Sequence, residues 1–179
     1  TMVVMFAAVT WAIGLIQDRA TGFLQDALVS PAPVWSVVLS KAGVGGLVAG
    51  AQGAFVLAGA LVVAGSVTAG GIAMGACLLT VGAIGVLALC LALAWRCSSV
   101  AGFHGVMNLV LLPMWALSGA VFPIDGAAAW LRPLMLANPL TWVTESTGAA
   151  LGVRDDAPAW MTAGVFVFAI ASLVLAAAT

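Results

Sequence analysis

Charge is what this sequence has least of. Asp, Glu, Lys and Arg supply 6% of 179 residues, hydrophobic residues supply 64%, and the mean hydropathy is +1.24. Soluble domains carry roughly a quarter charged residues, so this chain cannot cover a water-soluble globule and reads as an integral membrane protein. Five basic residues against six acidic ones leave no basic patch for nucleic acid. Cysteine is sparse as well. Cys77, Cys90 and Cys97 are odd in number and lie in or beside apolar runs, which points to small buried residues rather than a disulfide framework or a metal knuckle.

Catalytic vocabulary is missing too. The single lysine, Lys41, follows Ser40 with no glycine-rich loop ahead of it, and no G-x-x-x-x-G-K-[ST] occurs. The chain therefore has no usual means of holding nucleotide phosphates itself. Neither H-E-x-x-H nor G-x-S-x-G is present. The single histidine, His104, stands at the far end of an apolar run from Asp125, about 25 Å or more at 1.5 Å per helical residue. That separation excludes a hydrolase built from the two. With Cys97, His104 offers two ligands where a metal takes about four. No catalytic residue and no metal site is expected.

What is present is a series of apolar runs. Residues 1–16 fall short of the roughly 20 that a spanning helix needs and have no basic leader. The abrupt start at Thr1 is expected of a chain cut inside a span. Residues 42–64 and 70–95 are uncharged, with a tight turn at 65–69 between them. Residues 96–104 read as a short polar loop and 106–122 as a further span, kinked at Pro113. Residues 159–179 form the last run, ending without flanking charges, as though also cut. Gly46-x-x-x-Gly50 and Gly71-x-x-x-Gly75 predict close helix packing. Gln52, alone in mid-span, should face another helix or a polar path. Arg19, Lys41 and Arg96 fall at one end of this layout and Arg132 and Arg154 at the other, a slight positive-inside bias.

Two stretches interrupt the series. In 17–41, Ala20, Phe23, Leu24, Ala27 and Leu28 recur at helical spacing, with Asp18, Gly22, Gln25 and Asp26 mostly opposite. Pro31 ends this amphipathic helix and Pro33 can open the next. Such a helix lies flat in the membrane interface or docks a soluble partner. In 123–158, Asp125 can cap a short helix that includes Trp130 and Leu131. Asn138-Pro139 can start a second helix, and Gly152 can end it. Both are too short to cross and too apolar to be solvated, so a pair of half-helices dipping into one leaflet is expected. Glu145 lies in the second. It either pairs locally, with Arg132 or Arg154, or lines a polar route.

These two stretches carry a resemblance. LIQDRATGFLQDALVSPAPVWSVVLSKAGVG resembles the segment after the second span of type-2 ABC transporter permeases, in which an acidic-Arg pair, Gly-Phe-Leu, an acidic residue and Leu-Val-x-Pro precede a helix with an early Lys. SGAVFPIDGAAAWLRPLMLANPLTWVTESTGAAL is similar to the family's outer region, with its S-G-x-x-F-P and N-P-L-T-aromatic signatures. The pattern is similar to that of the daunorubicin-resistance and nodulation-export permeases. The resemblance implies an all-α polytopic bundle holding about five spans of a six-span permease, in the cell inner (plasma) membrane. It implies a dimer of permeases, homo- or heterodimeric, driven by separate ABC ATPase subunits that bind the ATP and Mg. By position, residues 17–31 become the cytosolic coupling helix, with Asp18, Arg19, Gly22, Phe23, Leu24, Asp26 and Leu28 meeting the ATPase. Residues 123–158 become the extracytoplasmic re-entrant helices. Gln52, Ser118, Phe122, Pro123, Asn138, Pro139 and Glu145 fall along the path or its outer gate. Gly148 departs from the pattern, because relatives carry an Arg there, and this removes the nearest expected partner of Glu145.

The function implied is export of a drug, lipid or polysaccharide, with ATP hydrolysed by the partner. A proton-coupled carrier using Glu145 and a membrane-embedded enzyme are the alternatives. The enzyme is disfavoured because no two polar catalytic groups share one depth.

Overall fold

The computed structural model describes residues 2–22, 34–64, 67–154 and 156–178. Its long helices are α1 (Met2–Ala20), α2 (Val34–Ala64), α3 (Ala69–Trp95) and α8 (Ala159–Ala178), and no strand occurs among the described residues. Between α3 and α8 lie α4 (Val100–Val106), a π-helical turn (Met107–Leu111), α5 (Leu112–Ala116), a 3-10 turn (Ile124–Gly126), α6 (Arg132–Ala137) and α7 (Pro139–Ala150). Helices α1, α3 and α8 are each long and apolar enough to cross a membrane; the first run is not too short, as its sequence suggests, because α1 continues past residue 16 through Asp18 and Arg19 to Ala20. The protein is an all-α, multi-pass membrane protein.

The bundle is built around α3. It packs against α1, α2, α7 and α8, and Leu78, Ala83, Val86, Leu87, Cys90 and Leu91 are buried along it. Glycines let its neighbours come close. A Cβ at Gly46 or Gly50 of α2 would strike Ile84 or Thr80, one at Gly82 would strike Val143 of α7, and one at Gly85 would strike Phe168 of α8. Both glycine pairs singled out in the sequence therefore serve packing within the chain: Gly71 lies against the Ala150 carbonyl and Gly75 against Leu151. Thr68 starts α3, its hydroxyl accepting from the Gly71 N–H at 3.1 Å.

Several expectations need correction. The polar loop after α3 is shorter than 96–104, because Ser99 caps a new helix through the Gly102 N–H; His104 lies inside that helix, exposed. The following run does not continue to residue 122. It stops at Ala116, and Pro113 is accommodated by the π turn before it, where the Leu112 N–H bonds Met107 five residues back. Asp125 caps no helix: it sits in the 3-10 turn, and α6 begins at Arg132 with Pro133 in its first turn. Cys77 is exposed and Cys97 partly so; Cys90 alone of the three is buried.

Candidate functional site

The break after α5 leaves helix-end carbonyls without partners, and α7 supplies them. The backbone turns at Leu117, so the Met114 and Leu117 carbonyls have no helical donor in line. Asn138 Nδ2 donates to Met114 O at 2.6 Å and Thr141 Oγ1 to Leu117 O at 3.1 Å. The same Asn138 side chain accepts from the Leu140 N–H at 3.1 Å, making it the N-cap of α7, with Pro139 in the first turn as its sequence predicts. One asparagine thus starts one helix and finishes another. Trp142 Nε1 donates to Leu136 O at 2.7 Å and ties α7 to α6. Its ring meets Trp160 of α8 edge-on, with centroids 6.2 Å apart.

At the other end of α7, the Gly152 and Val153 N–H groups return to Ala149 and Gly148, with Gly152 at φ +64. This is the Schellman closure that a glycine permits, and it turns Arg154 back over the helix. The aliphatic stem of Arg154 lies where a Cβ of Gly148 would be, 2.7 Å from its Cδ. The guanidinium pairs with Glu145 through Nη1 and donates through Nη2 to Gly119 O at 2.7 Å. Gly119 itself has φ +76, a conformation that costs a glycine little. Arg154 therefore bolts α7 to the turn after α5.

The missing side chain at position 148 does not cost Glu145 its partner. It clears the space through which Arg154 arrives. Of the two candidate cations only Arg154 reaches Glu145, while Arg132 faces Asp125 at 3.6 Å on the surface, a pairing of little energetic weight. Burial raises the Glu145 carboxyl above the ordinary carboxylate range. Arg154 opposes that shift, and the Asp125 charge adds to it. Beside this bolt opens a cleft of about 820 Å³, bordered by Pro123, Asp125, Arg132, Glu145, Arg154 and Trp160 among others.

The predicted site residues do not form one constellation. Pro123, Asn138, Pro139 and Glu145 gather around α7 and its cleft, and Ser118, fully buried, donates to the Trp115 carbonyl at 2.7 Å in the same region. Phe122 is exposed. Gln52 stands apart, exposed in a groove of about 400 Å³ between α1 and α2 that Met2, Phe6, Thr10 and Trp11 also line. Sequence reasoning passed over Thr141, whose role comes from the Leu117 carbonyl that the fold brings to it.

The opposite end of α3 holds a second polar cluster. Arg19 Nη1 donates to Trp95 O at 2.8 Å, and its guanidinium lies 5.0 Å from the Trp95 ring centroid. Asp18 pairs with Lys41 Nζ at 2.5 Å. Gly22 has φ +83. Phe23, Leu24, Asp26 and Leu28 of the expected coupling helix lie outside the described residues.

Comparison with known proteins gives these features a setting. Residues 1–151 match the family described as ABC-2 type transporter. The probable multidrug ABC transporter permease YbhR of Escherichia coli K12, and its counterpart in the O157:H7 strain, are each 28% identical over 137 residues. The match takes in 76% of this chain but 37% of either relative, so the chain spans little more than a third of their length. No solved structure matches significantly. The helices around α3, the break after α5 and the paired short helices α6 and α7 are thus the architecture of a chain that belongs to the ABC-2 type transporter family.

Proposed function

We propose that this chain is the membrane-embedded core of a permease subunit of an ABC exporter. It would move a drug, lipid or polysaccharide outward across the cell inner (plasma) membrane, as one copy of a permease dimer, while separate ATPase subunits hydrolyse ATP. The observation that carries the reading is the family match over residues 1–151. The geometry supports it in two places. Val143 packs at Gly82, thirteen residues into α3, roughly 20 Å along that helix from its start. A short helix that reaches this depth without crossing is what a re-entrant outer gate requires, and backbone ends at that depth are tolerable only when buried in protein. The hydrogen bonds of Asn138 and Thr141 to the α5 end meet that condition.

At the other end, residues 17–31 would supply the coupling contact to the ATPase, with Asp18 and Arg19 standing on the last turn of α1. Glu145 is read as structural, because Arg154 engages it directly. A proton carrier would need that carboxylate free to load and unload.

The test is association with the ATPase encoded beside the permease gene. The full-length permease is expected to co-purify with it and to stimulate its hydrolysis. Phe23→Asp should abolish both while membrane insertion stays intact. Normal ATPase binding by Phe23→Asp would reduce 17–31 to an interfacial anchor. Transport by the permease with no ATPase present would overturn the function.

A further inference from the structure

Trp95 is the last residue of α3. The Arg96 and Cys97 N–H groups return to Leu93 and Ala94, and the chain is extended by Ser99. The Trp95 carbonyl is therefore an orphan of the helix end, at the negative pole of its dipole, where a cation is favoured. Arg19, from the last turn of α1, meets it with a hydrogen bond of 2.8 Å from Nη1 and lays its guanidinium over the Trp95 ring, 5.0 Å from the centroid. The Nε and Nη2 groups of Arg19 donate to no described residue.

Charge is left unbalanced at this point. Of the five basic residues in the chain, Lys41, Arg132 and Arg154 each face a carboxylate. Arg19 and Arg96 face none among the described residues, and both are exposed. Arg19 lies on Trp95 and Arg96 directly follows it, so two guanidinium groups attend one indole. Asp18, the one acidic residue of α1, is taken up by Lys41 at 2.5 Å. Trp95, Cys97 and Val100 are partly buried against the bundle core, which makes this the rim of the bundle rather than a loop standing out in water. The end of a spanning helix lies at headgroup depth, where indoles concentrate.

We infer that Arg19, Trp95 and Arg96 form a binding site for the headgroup of an anionic phospholipid. A lipid phosphate matches the forked donors of arginine, and basic groups between helices at a membrane surface hold acidic lipid headgroups. A free phosphate would gain the charge but nothing from the indole or from the bilayer beside it. Neither the transported molecule nor the source of energy enters this assignment.

The full-length permease is purified in detergent, stripped of lipid and titrated with phosphatidylglycerol or with phosphatidylcholine, and the mass of the intact complex counts the lipids bound. The unaltered protein is expected to bind its first phosphatidylglycerol more tightly than its first phosphatidylcholine. Arg19→Gln and Arg96→Gln should each weaken the phosphatidylglycerol site roughly fivefold, the weight of one basic side chain beside a charged membrane surface. Together they should make the two lipids bind alike, while Arg132→Gln, at the opposite end, should change nothing. Arg19→Gln also strips the Trp95 carbonyl of its donor and can disturb the fold. Arg96 makes no side-chain hydrogen bond or ion pair among the described residues, so Arg96→Gln reads the site by itself.

Equal affinity for the two lipids in the unaltered protein would overturn the inference. So would an undiminished preference in Arg96→Gln, or an equal loss in Arg132→Gln. Displacement of the bound phosphatidylglycerol by inorganic phosphate would overturn it in favour of a soluble-anion site. An Arg96→Gln protein that keeps its lipid preference but loses its co-purifying ATPase would overturn it in favour of a protein contact.

Discussion

Glu145 and Arg154 form a pair in which burial works against the charged carboxyl. The fold raises the Glu145 carboxyl, chiefly by burial, and the neighbouring guanidinium offsets this only in part. A carboxyl raised in the folded state contributes stability below its unfolded value, and that contribution is lost as pH rises through the folded value. At neutral pH the charged carboxylate is thus held at a cost. Glu145→Gln removes the cost and keeps an oxygen for Arg154. It is expected to match or exceed the parent in thermal stability at neutral pH, with the advantage shrinking as the medium is acidified towards pH 4.5, the unperturbed value. A Gln variant that is less stable at neutral pH, or a difference that grows in acid, would refute this account.

Arg154→Gln differs in kind. It strands a partly buried carboxylate and frees the Gly119 carbonyl, and the expected loss is about 2 kcal/mol. That lies below the roughly 3–5 of a fully buried pair, because both side chains keep some exposure. Thermal unfolding in detergent measures it. Gly148→Leu should reproduce much of that loss by occupying the space of the Arg154 stem.

At the scale of the element, the lesson is in how glycine is spent along α3. A Cβ on Gly71 would stand 2.3 Å from the Ala150 carbonyl oxygen, a backbone atom that cannot rotate away. Gly71→Ala is therefore expected to lift the end of α7 and cost about 1–3 kcal/mol. Gly105 in α4 meets nothing within 4 Å, and Gly105→Ala should gain about 0.5–1 kcal/mol from helix propensity alone. Measured side by side, these two identical substitutions should move the unfolding temperature in opposite directions.

The sequence carries the glycine spacing but not the partner each glycine meets. Local chemistry was legible throughout: Asn138-Pro139 as a helix start, Gly152 as a helix end, Pro113 as a disturbance. What was not legible were the second partners. Nothing near Asn138 announces the Met114 carbonyl, and nothing near Arg19 announces Trp95, because those acceptors exist only once a helix has ended beside them. The proposed cap at Asp125 failed for the complementary reason. Pro133 already fixes the first turn of α6, so the helix starts at Arg132 without a side-chain cap.

For the whole molecule, α3 fixes which polar groups share an end. Gly71 touches Ala150, and Trp95 touches Arg19. The stretch of α3 from Gly71 to Trp95 sets these contacts about 36 Å apart, more than the roughly 30 Å hydrocarbon core of a bilayer. Arg19, Lys41 and Arg96 then lie at one face of the membrane and Arg132 and Arg154 at the other. In the orientation proposed here the first group, which holds the slight excess of basic residues, lies inside.

Labelling tests this directly. In a cysteine-free background, Val67→Cys, just before α3, is expected to react with an impermeant maleimide added to intact cells. A probe after α3 should react only once the membrane is opened. Ser99 is a poor choice there, since its hydroxyl caps α4 and its loss would cost about 1 kcal/mol. Ser98→Cys is exposed without that duty. Reaction of both probes from the same side would mean that α3 does not cross. Reaction of Ser98→Cys alone from outside would keep the bundle but invert it, placing α7 and its cleft in the cytosol and removing residues 17–31 from the reach of any ATPase.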